Sequence, residues 1–248
     1  MGDAQSPSQV TPRLAFRSVW FDCDSTLSAI EGIDELAALR DEGIRGEIVR
    51  LTERAMAGEI ALEAVYGLRL ARIAPTRDEC DRIGALYVER VLPDAARVIA
   101  ALGVLGKSVG IVSGGLLPPV LRLATALGVA RERVLAVGIA FGSDGRYAGF
   151  DASSPLARSG GKPIVLAARP SVERPLAMVG DGSTDLETAS VVDRFVGFGG
   201  VARRAAVVAG ATCFADGPGL SSTLPFLLTR EEQDTLRRDP RFASLLLE

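Results

Sequence analysis

The chain has 248 residues, of which 48% are hydrophobic and 24% are charged, and its formal net charge is -3. A chain of this length and apolar content can bury a core, and its slightly acidic balance gives no positive field to attract nucleic acid or a membrane. It contains no histidine, which excludes a Ser-His-Asp triad and every zinc site with a histidine ligand.

The cysteines are scattered and odd in number: Cys23, Cys80 and Cys213, with no CxxC pair. This pattern predicts neither a disulfide framework nor a cysteine zinc site, and it favours a reducing compartment. The sequence shows no apolar run of membrane-spanning length and no signal-peptide pattern. We therefore expect a cytoplasmic protein.

The first part of the chain reads as an arm, a strand and a helical block. Residues 1–14 are polar and are expected to form a flexible arm, and residues 18–24 form the first predicted strand. Residues 31–90 are charged and carry apolar residues at helical spacing. This block lies between two predicted strands, so we expect it to form a small helical cap inserted into another domain.

Strands and helices alternate through the rest of the chain. Further strands are predicted at residues 108–113, 134–141, 176–179, 195–198 and 211–214. Such alternation predicts an α/β fold, with a Rossmann-like, mostly parallel sheet covered by helices. Residues 15–30 and 91–228 are expected to form this core, and residues 229–248 a C-terminal helical extension. Ligands of such sheets bind beyond the carboxyl ends of the strands.

Two carboxylates end the first predicted strand. Asp22 and Asp24 are two residues apart, so on a strand they point to the same side. Paired carboxylates at the end of a buried strand require a bound cation. The alternative for an isolated Asp-x-Asp is a solvated turn. An EF-hand is excluded, because position 12 counted from Asp22 is Ile33 and not glutamate.

The next two motifs suit an anion. The second predicted strand ends in Ser113 and Gly114, and a hydroxyl with exposed glycine amides before a helix forms an anion cradle. Lys162 follows Gly160 and Gly161 at a predicted helix start, where its charge would oppose that of a phosphate. The alternatives are an ordinary turn and a solvent-facing lysine.

The strand at 176–179 is followed by Asp181 and Asp185. Four residues apart, they would share a face if both were helical, and acidic residues at a helix start can also be caps. In chain order the strand ends supply Asp-x-Asp, serine, lysine and Asp-x-x-x-Asp. Four carboxylates suit Mg2+, and the serine and lysine suit phosphate. The combination predicts phosphoryl transfer to and from an aspartate.

These motifs resemble those of the haloacid dehalogenase-like superfamily of Mg2+-dependent aspartyl phosphatases. Within it, residues 19–228 are most similar to the phosphoserine phosphatases. The segments that carry the resemblance are residues 22–27, 31–36, 54–58, 68–70, 149–151, 159–162, 178–186 and 196–200. Residues 54–58 and 68–70, in the predicted cap, make the resemblance specific to the phosphoserine phosphatases within the superfamily. Two departures are Leu-Leu-Pro-Pro at residues 116–119 and the C-terminal extension, which would dock on the core or contact a second subunit.

The resemblance implies roles for the four aspartates. Asp22 is the nucleophile that becomes aspartyl-phosphate. Asp24 is the acid that protonates the leaving seryl oxygen and then the base that activates water. Mg2+ would be held by the Asp22 carboxylate, the Asp24 carbonyl and Asp181, with Asp185 in support. The expected reaction is hydrolysis of O-phospho-L-serine to L-serine and phosphate, the last step of serine biosynthesis.

The resemblance also implies a set of substrate-binding residues: Glu31, Met56, Arg69, Ser113, Gly114, Lys162 and Thr184. Glu31 would hold the substrate ammonium and Arg69 its carboxylate, while Ser113, the Gly114 amide and Lys162 would bind phosphoryl oxygens. The expected partner is this small phosphate ester. Neither nucleic acid nor a membrane is expected to bind, and the question of a homodimer is left open. The alternatives are a superfamily phosphatase or phosphotransferase for another small ester, and a catalytically silent binding protein.

Overall fold

The computed structural model describes residues 11–56 and 62–246, without the side chains of residues 52–56, 62 and 63. Most of the predicted arm, residues 1–14, lies outside the described residues. Within them, eight strands form two sheets: β1 (Ser18–Phe21), β2 (Ser108–Leu116), β3 (Val134–Val137), β4 (Ile139–Phe141), β5 (Tyr147–Phe150), β6 (Leu176–Gly180), β7 (Arg194–Phe198) and β8 (Cys213–Ala215).

The main sheet has six strands in the order β3-β2-β1-β6-β7-β8, and every pairing in it is parallel. The prediction of a Rossmann-like α/β core is confirmed. The predicted strand 134–141 is divided in two: β3 joins the main sheet, and β4 pairs with β5 in an antiparallel hairpin. The division falls at Gly138, whose carbonyl accepts a hydrogen bond from the Asp151 amide.

Helices lie between most of the strands. The longer ones are α1 (Gly32–Ala38), α2 (Glu42–Met56), α3 (Leu62–Ile73), α4 (Arg77–Glu89), α5 (Ala95–Val104), α6 (Leu117–Ala126), α7 (Gly161–Ala167) and α11 (Arg230–Arg238). Shorter ones are α8 (Ser183–Leu186), α9 (Ala205–Gly210) and α10 (Leu224–Leu227). None of the helices in the described residues is long and apolar enough to cross a membrane.

The central strand β1 is buried on both faces. Val19 and Phe21 belong to the larger of two hydrophobic clusters, whereas Trp20, between them, belongs to the other. Successive side chains of a strand point to opposite faces, so each cluster covers one face of the sheet. Helices packed on both faces leave the strand ends as the accessible part of the sheet.

The helices α1–α4 occupy the stretch predicted as a cap. Thr76 and Glu79 form a capping box at the start of α4, and Arg40, just after α1, donates two hydrogen bonds of 2.7 Å to Glu79. Further along α4, an added Cβ on Gly84 would lie 3.3 Å from the Pro119 backbone of α6. Helix α4 therefore packs closely against a helix of the predicted core. That residues 31–90 form a separate cap domain remains a prediction.

The two departures from the family pattern have structural explanations. Pro118 and Pro119 lie in the first turn of α6, where the missing N–H groups would have no helical partner. The C-terminal extension packs against the rest of the chain, because Leu236 and Leu245 are buried in the larger cluster. Lys107 Nζ also donates to Glu232 Oε1 at 2.6 Å.

Candidate active site

Three neighbouring strand ends meet at one edge of the main sheet. In the pairing register, Phe21 lies opposite Ile111 of β2 and Val179 of β6. The residues that follow these positions therefore emerge side by side. The Asp22 amide donates to the Val179 carbonyl at 2.9 Å, which fixes the first predicted carboxylate beside the end of β6.

Lys162 joins two of the aspartates. Its Nζ lies 2.7 Å from Asp22 Oδ1 and 2.6 Å from Asp185 Oδ1, and all three side chains are buried. Burial by itself lowers the pKa of Lys162, but Asp185 and Asp22 outweigh it and raise the pKa above its ordinary range. The lysine is therefore charged. The alternative of a solvent-facing lysine is excluded, because Lys162 is buried between two carboxylates.

The carboxylates of Asp22, Asp181 and Asp185 form a cluster in which one oxygen of each lies within 4.8 Å of the others. Burial and the charge of Asp185 raise the pKa of Asp22 well above its usual value, and Lys162 opposes this. Within the described residues, Asp22 Oδ1 accepts no hydrogen bond of ordinary geometry, although Lys162 is close. A buried, under-bonded carboxylate oxygen beside two more carboxylates fits a hard divalent cation such as Mg2+.

Asp181 and Asp185 lie close together although they do not share a helical face, which was the arrangement considered from the sequence. Asp181 precedes α8, so it is not helical, whereas Asp185 lies within the helix. Asp185 Oδ2 accepts a hydrogen bond of 2.9 Å from the Gly182 amide, so this residue also caps the helix. A Cβ on Gly180 would lie 2.2 Å from Asp185 Cγ. Glycine at this position therefore leaves room for the carboxylate.

Asp24 is held by donors from three segments. Its Oδ1 accepts hydrogen bonds from the Tyr87 hydroxyl at 2.5 Å and from the Gly32 amide at 2.7 Å. Its Oδ2 accepts a longer one from Ser113 Oγ at 3.3 Å. Burial raises the pKa of Asp24, and the hydrogen bonds from Tyr87 and Gly32 oppose that rise.

Most of the predicted site residues share one cavity of about 230 Å³. Its lining consists of Asp22, Asp24, Glu31, Ile33, Asp34, Tyr66, Arg69, Gly114, Gly115, Lys162 and Thr184. Ser113 is fully buried within β2, which continues to Leu116 rather than ending at residue 113 as predicted, and its Oγ accepts a hydrogen bond of 2.9 Å from the Gly115 amide. The structure thus brings the predicted phosphate-binding groups together with the predicted nucleophile and acid.

The two predicted amino-acid-binding residues already have charged partners. Arg69 donates a short hydrogen bond to the exposed Asp34. Glu31 Oε1 accepts hydrogen bonds of 2.8 Å from Ser25 Oγ and from Arg204 Nη2. Burial raises the pKa of Glu31, and Asp24 adds to this effect. Glu31 is therefore paired with the guanidinium of Arg204, and its role in binding a substrate ammonium stays a prediction.

Three residues of the site escaped the sequence analysis. Arg204 donates to Asp181 Oδ2 at 2.7 Å; it follows the loop after β7, another strand end of the sheet. Tyr66 of α3 donates to the Gly114 carbonyl at 2.8 Å, and Tyr87 of α4 reaches Asp24. The position of Arg204 after a strand end was a usable signal. For the two tyrosines we find no signal, since helical spacing marks them only as core residues.

Met56 is the last residue of α2, but its side chain lies outside what the structure describes. The same holds for every side chain of the motif at residues 54–58. Its predicted contact with substrate stays a prediction.

Comparison with known proteins gives three kinds of match. The model of the haloacid dehalogenase-like hydrolase family matches residues 19–190. Human phosphoserine phosphatase is 36% identical over 185 residues, which cover 74% of this chain and 81% of the human one. The chloroplastic phosphoserine phosphatase of Arabidopsis thaliana is 33% identical over 198 residues, covering 78% and 66% of the two chains. A solved substrate-bound phosphoserine phosphatase complex shares the fold, with a TM-score of 0.69, 21% identity and coverage of 87% and 100%.

Proposed function

Because the chain belongs to the haloacid dehalogenase-like hydrolases and is a phosphatase, we propose that it hydrolyses O-phospho-L-serine to L-serine and phosphate. One observation carries this proposal: Glu31 and Arg69 line the same cavity as Asp22 and Lys162. The cavity thus offers a carboxylate for an ammonium, a guanidinium for a carboxylate, and a lysine for a phosphate. These are the three charged groups of phosphoserine.

In the first half of the reaction, a carboxylate oxygen of Asp22 attacks the phosphorus. A bond forms between that oxygen and phosphorus, and the bond from phosphorus to the seryl oxygen breaks. Asp24 gives its proton to the departing seryl oxygen, so the alcohol leaves neutral. Ser113, the Gly114 amide and Lys162 bind the phosphoryl oxygens.

In the second half, Asp24 acts as a base. It takes a proton from water, the oxygen of that water bonds to phosphorus, and the bond to Asp22 breaks. Phosphate leaves, Asp22 is again a free carboxylate and Asp24 is again protonated. The residue that protonated the alcohol is the one that activates water, so a single well-placed carboxyl group serves both steps.

The residues that would hold Mg2+ are Asp22, Asp181 and the Asp24 carbonyl, with Asp185 in support. The bound ion would shield the negative phosphate from the negative Asp22. The buried cluster of Asp22, Asp181 and Asp185 described above supports this proposed Mg2+ site. Lys162, placed between Asp22 and Asp185, keeps the remaining charge of the cluster balanced.

Substrate binding exchanges the partners of Glu31 and Arg69. The substrate ammonium would replace Arg204 at Glu31, and its carboxylate would replace Asp34 at Arg69. A guanidinium suits a carboxylate because it can donate to both oxygens. Thr184 and Met56 would line the remaining wall. By the same proposal the reaction is the last step of serine biosynthesis and takes place in the cytoplasm, with the small ester as partner.

An adjoining cavity of about 310 Å³ favours a second candidate, an ester of a larger alcohol. This cavity shares Arg69, Lys162 and Thr184 with the first and adds Arg158. A second cationic side chain would suit an alcohol that carries a further negative group. The chain would then use the same phosphoryl chemistry on a different small phosphate ester.

A panel of phosphate esters tests the choice of substrate. Phosphate release would be followed with Mg2+ for phosphoserine, phosphothreonine, glycerol phosphate and 4-nitrophenyl phosphate. We expect the highest kcat/KM for phosphoserine. A higher kcat/KM for any other ester would contradict the proposed substrate while leaving the phosphatase chemistry intact. Absence of release from every ester would contradict both.

A further inference from the structure

Tyr87 is placed against the proposed acid and base from a distant part of the chain. It lies near the end of α4, 63 residues from Asp24, and its side chain is buried. Its hydroxyl donates to Asp24 Oδ1 at 2.5 Å, and the Gly32 amide donates to the same oxygen at 2.7 Å. Oδ1 therefore has two donors facing it, which leaves no place on that side for a proton of its own.

The other oxygen of Asp24 has a different environment. Oδ2 accepts only a long hydrogen bond of 3.3 Å from Ser113 Oγ among the hydrogen bonds that the described residues make to it. Ser113 belongs to the proposed phosphate cradle, so Oδ2 is the oxygen on the phosphate side. When Asp24 is protonated, the two donors on Oδ1 direct the proton to Oδ2, where the leaving oxygen would be.

The surroundings of Tyr87 are shaped for its hydroxyl. A Cβ added to Gly32 would lie 2.1 Å from Tyr87 Oη, and one added to Gly115 would lie 3.5 Å from it. Glycine at position 32 therefore leaves the space that the hydroxyl fills, whereas the distance from Gly115 is an ordinary contact.

We propose that Tyr87 is a positioning residue for Asp24, holding Oδ1 so that Oδ2 presents its proton to the leaving oxygen. The proposal rests on the proposed function, since Asp24 must act as the acid. A phenylalanine would fill the position of the ring without the hydroxyl, and packing alone would therefore be served by either residue. The hydroxyl contributes orientation of the carboxyl group rather than volume.

The test compares leaving groups. Phenyl, 4-nitrophenyl and 2,4-dinitrophenyl phosphate leave as increasingly stable anions, so they need a proton from Asp24 less and less. We expect Tyr87→Phe to lower kcat/KM by about tenfold for phosphoserine and phenyl phosphate, as for loss of a hydrogen bond to a charged group. For 2,4-dinitrophenyl phosphate we expect a change of less than about twofold on the same reasoning.

Two further variants separate orientation from folding. Tyr147→Phe, which removes another tyrosyl hydroxyl from the half-buried strand β5, is the matched control and should leave the leaving-group dependence unchanged. In the Asp24→Asn background, Tyr87→Phe should cause no further loss, because residues that act as one unit are not additive. Should Tyr87→Phe fail to fold, Gly32→Ala displaces the hydroxyl instead and should give the same dependence.

The outcomes distinguish a failure of the positioning role of Tyr87 from a failure of the proposed function. Equal slowing of all esters by Tyr87→Phe, or no slowing, would overturn the positioning role even if phosphoserine is the substrate. Turnover of the aryl esters without phosphoserine turnover would overturn the proposed substrate, while the aryl series would still decide the role of Tyr87. Full activity of Asp24→Asn towards phenyl phosphate would overturn the acid role of Asp24 and, with it, the positioning role of Tyr87.

Discussion

Arg204 Nε donates a hydrogen bond of 2.7 Å to Asp181 Oδ2, which places a fixed positive charge against the aspartate cluster. Asp181 is buried, whereas Arg204 is exposed and extends its other nitrogen to Glu31. Burial raises the pKa of Asp181, and Arg204 opposes that rise. A divalent cation entering the cluster must therefore share Asp181 with a guanidinium.

This contact predicts that Arg204 weakens the binding of Mg2+. Removing the guanidinium in Arg204→Ala leaves Asp181 Oδ2 free for the ion and removes a repelling charge. We expect the affinity for Mg2+, measured by calorimetric titration, to rise on the order of tenfold, the scale of a charge interaction partly screened by water. Arg203→Ala is the matched control, since Arg203 pairs with Asp216 on the surface. Weaker binding in Arg204→Ala would instead mean that Arg204 holds Asp181 in place for the metal.

The parts of the fold that local patterns encode were predictable. Strand and helix alternation predicted the parallel sheet, and the rule that ligands bind at strand ends led to Asp22 and Asp181. The end of β1 was misjudged: it lies at Phe21 rather than at residue 24, because Asp24 turns towards Gly32 and Tyr87. Helical or strand periodicity describes which face a residue occupies and not which distant residue it meets.

The same limit explains the missed contacts. Arg204 and Asp181 are 23 residues apart, and Tyr87 and Asp24 are 63 apart. Tyr87 reaches Asp24 through the packing of α4, which leaves no short sequence pattern, whereas Arg204 follows a strand end, and that position could have been recognised. Asp22 and Asp181 could be found at strand ends because each directly follows a strand, whereas Ser113 lies within β2 and Lys162 lies in α7. The residues that orient or compete with those groups come from helices and loops.

Asp22→Asn should abolish turnover, because the covalent route through the carboxylate is lost. Enzymes accelerate phosphate-monoester hydrolysis by up to ~10^21-fold, so no residual route would match it. Mass spectrometry after brief exposure to substrate and rapid acid quenching should place the phosphoryl group of the unmodified chain on Asp22. The melting temperature checks that the variant folds. Appreciable phosphate release by folded Asp22→Asn, or labelling elsewhere, would exclude Asp22 as the nucleophile.

The ion pair of Arg40 with Glu79 predicts a pH-dependent contribution to stability. Hydrogen bonds from Arg40 lower the pKa of Glu79 to about 2, against an ordinary value of 4.5. A carboxyl whose pKa falls on folding stabilises the folded state fully above its unfolded pKa and loses that contribution as the pH drops towards the folded pKa. The cost of Glu79→Gln should therefore be largest at pH 7 and shrink between about pH 4.5 and 2.

Urea unfolding at pH 7, 5 and 3 measures this effect. At pH 7 we expect Glu79→Gln to cost roughly 1.5–3 kcal/mol, the range for hydrogen bonds to charged groups. Glu47→Gln, which breaks a more exposed pair with Arg72, should cost less than about 1 kcal/mol. If the loss of unfolding free energy in Glu79→Gln does not vary with pH, the carboxylate charge is not what stabilises the contact between Arg40 and α4.

In the proposed function, Arg69 is the residue that selects an ester carrying a carboxylate. It lines the site with Glu31, and its present partner Asp34 is an exposed carboxylate in the position that a substrate carboxylate would take over. We expect Arg69→Ala to lower kcat/KM for phosphoserine by roughly 10- to 150-fold, the value of one strong charge-assisted hydrogen bond. Hydrolysis of 4-nitrophenyl phosphate, which has no carboxylate, should hardly change. Asp34→Asn should act in the opposite direction and lower the KM for phosphoserine, because it releases Arg69 without removing it. Equal slowing of both esters by Arg69→Ala would make Arg69 a structural residue, and the chain would then be a phosphatase whose cavity does not read the amino-acid part of its substrate.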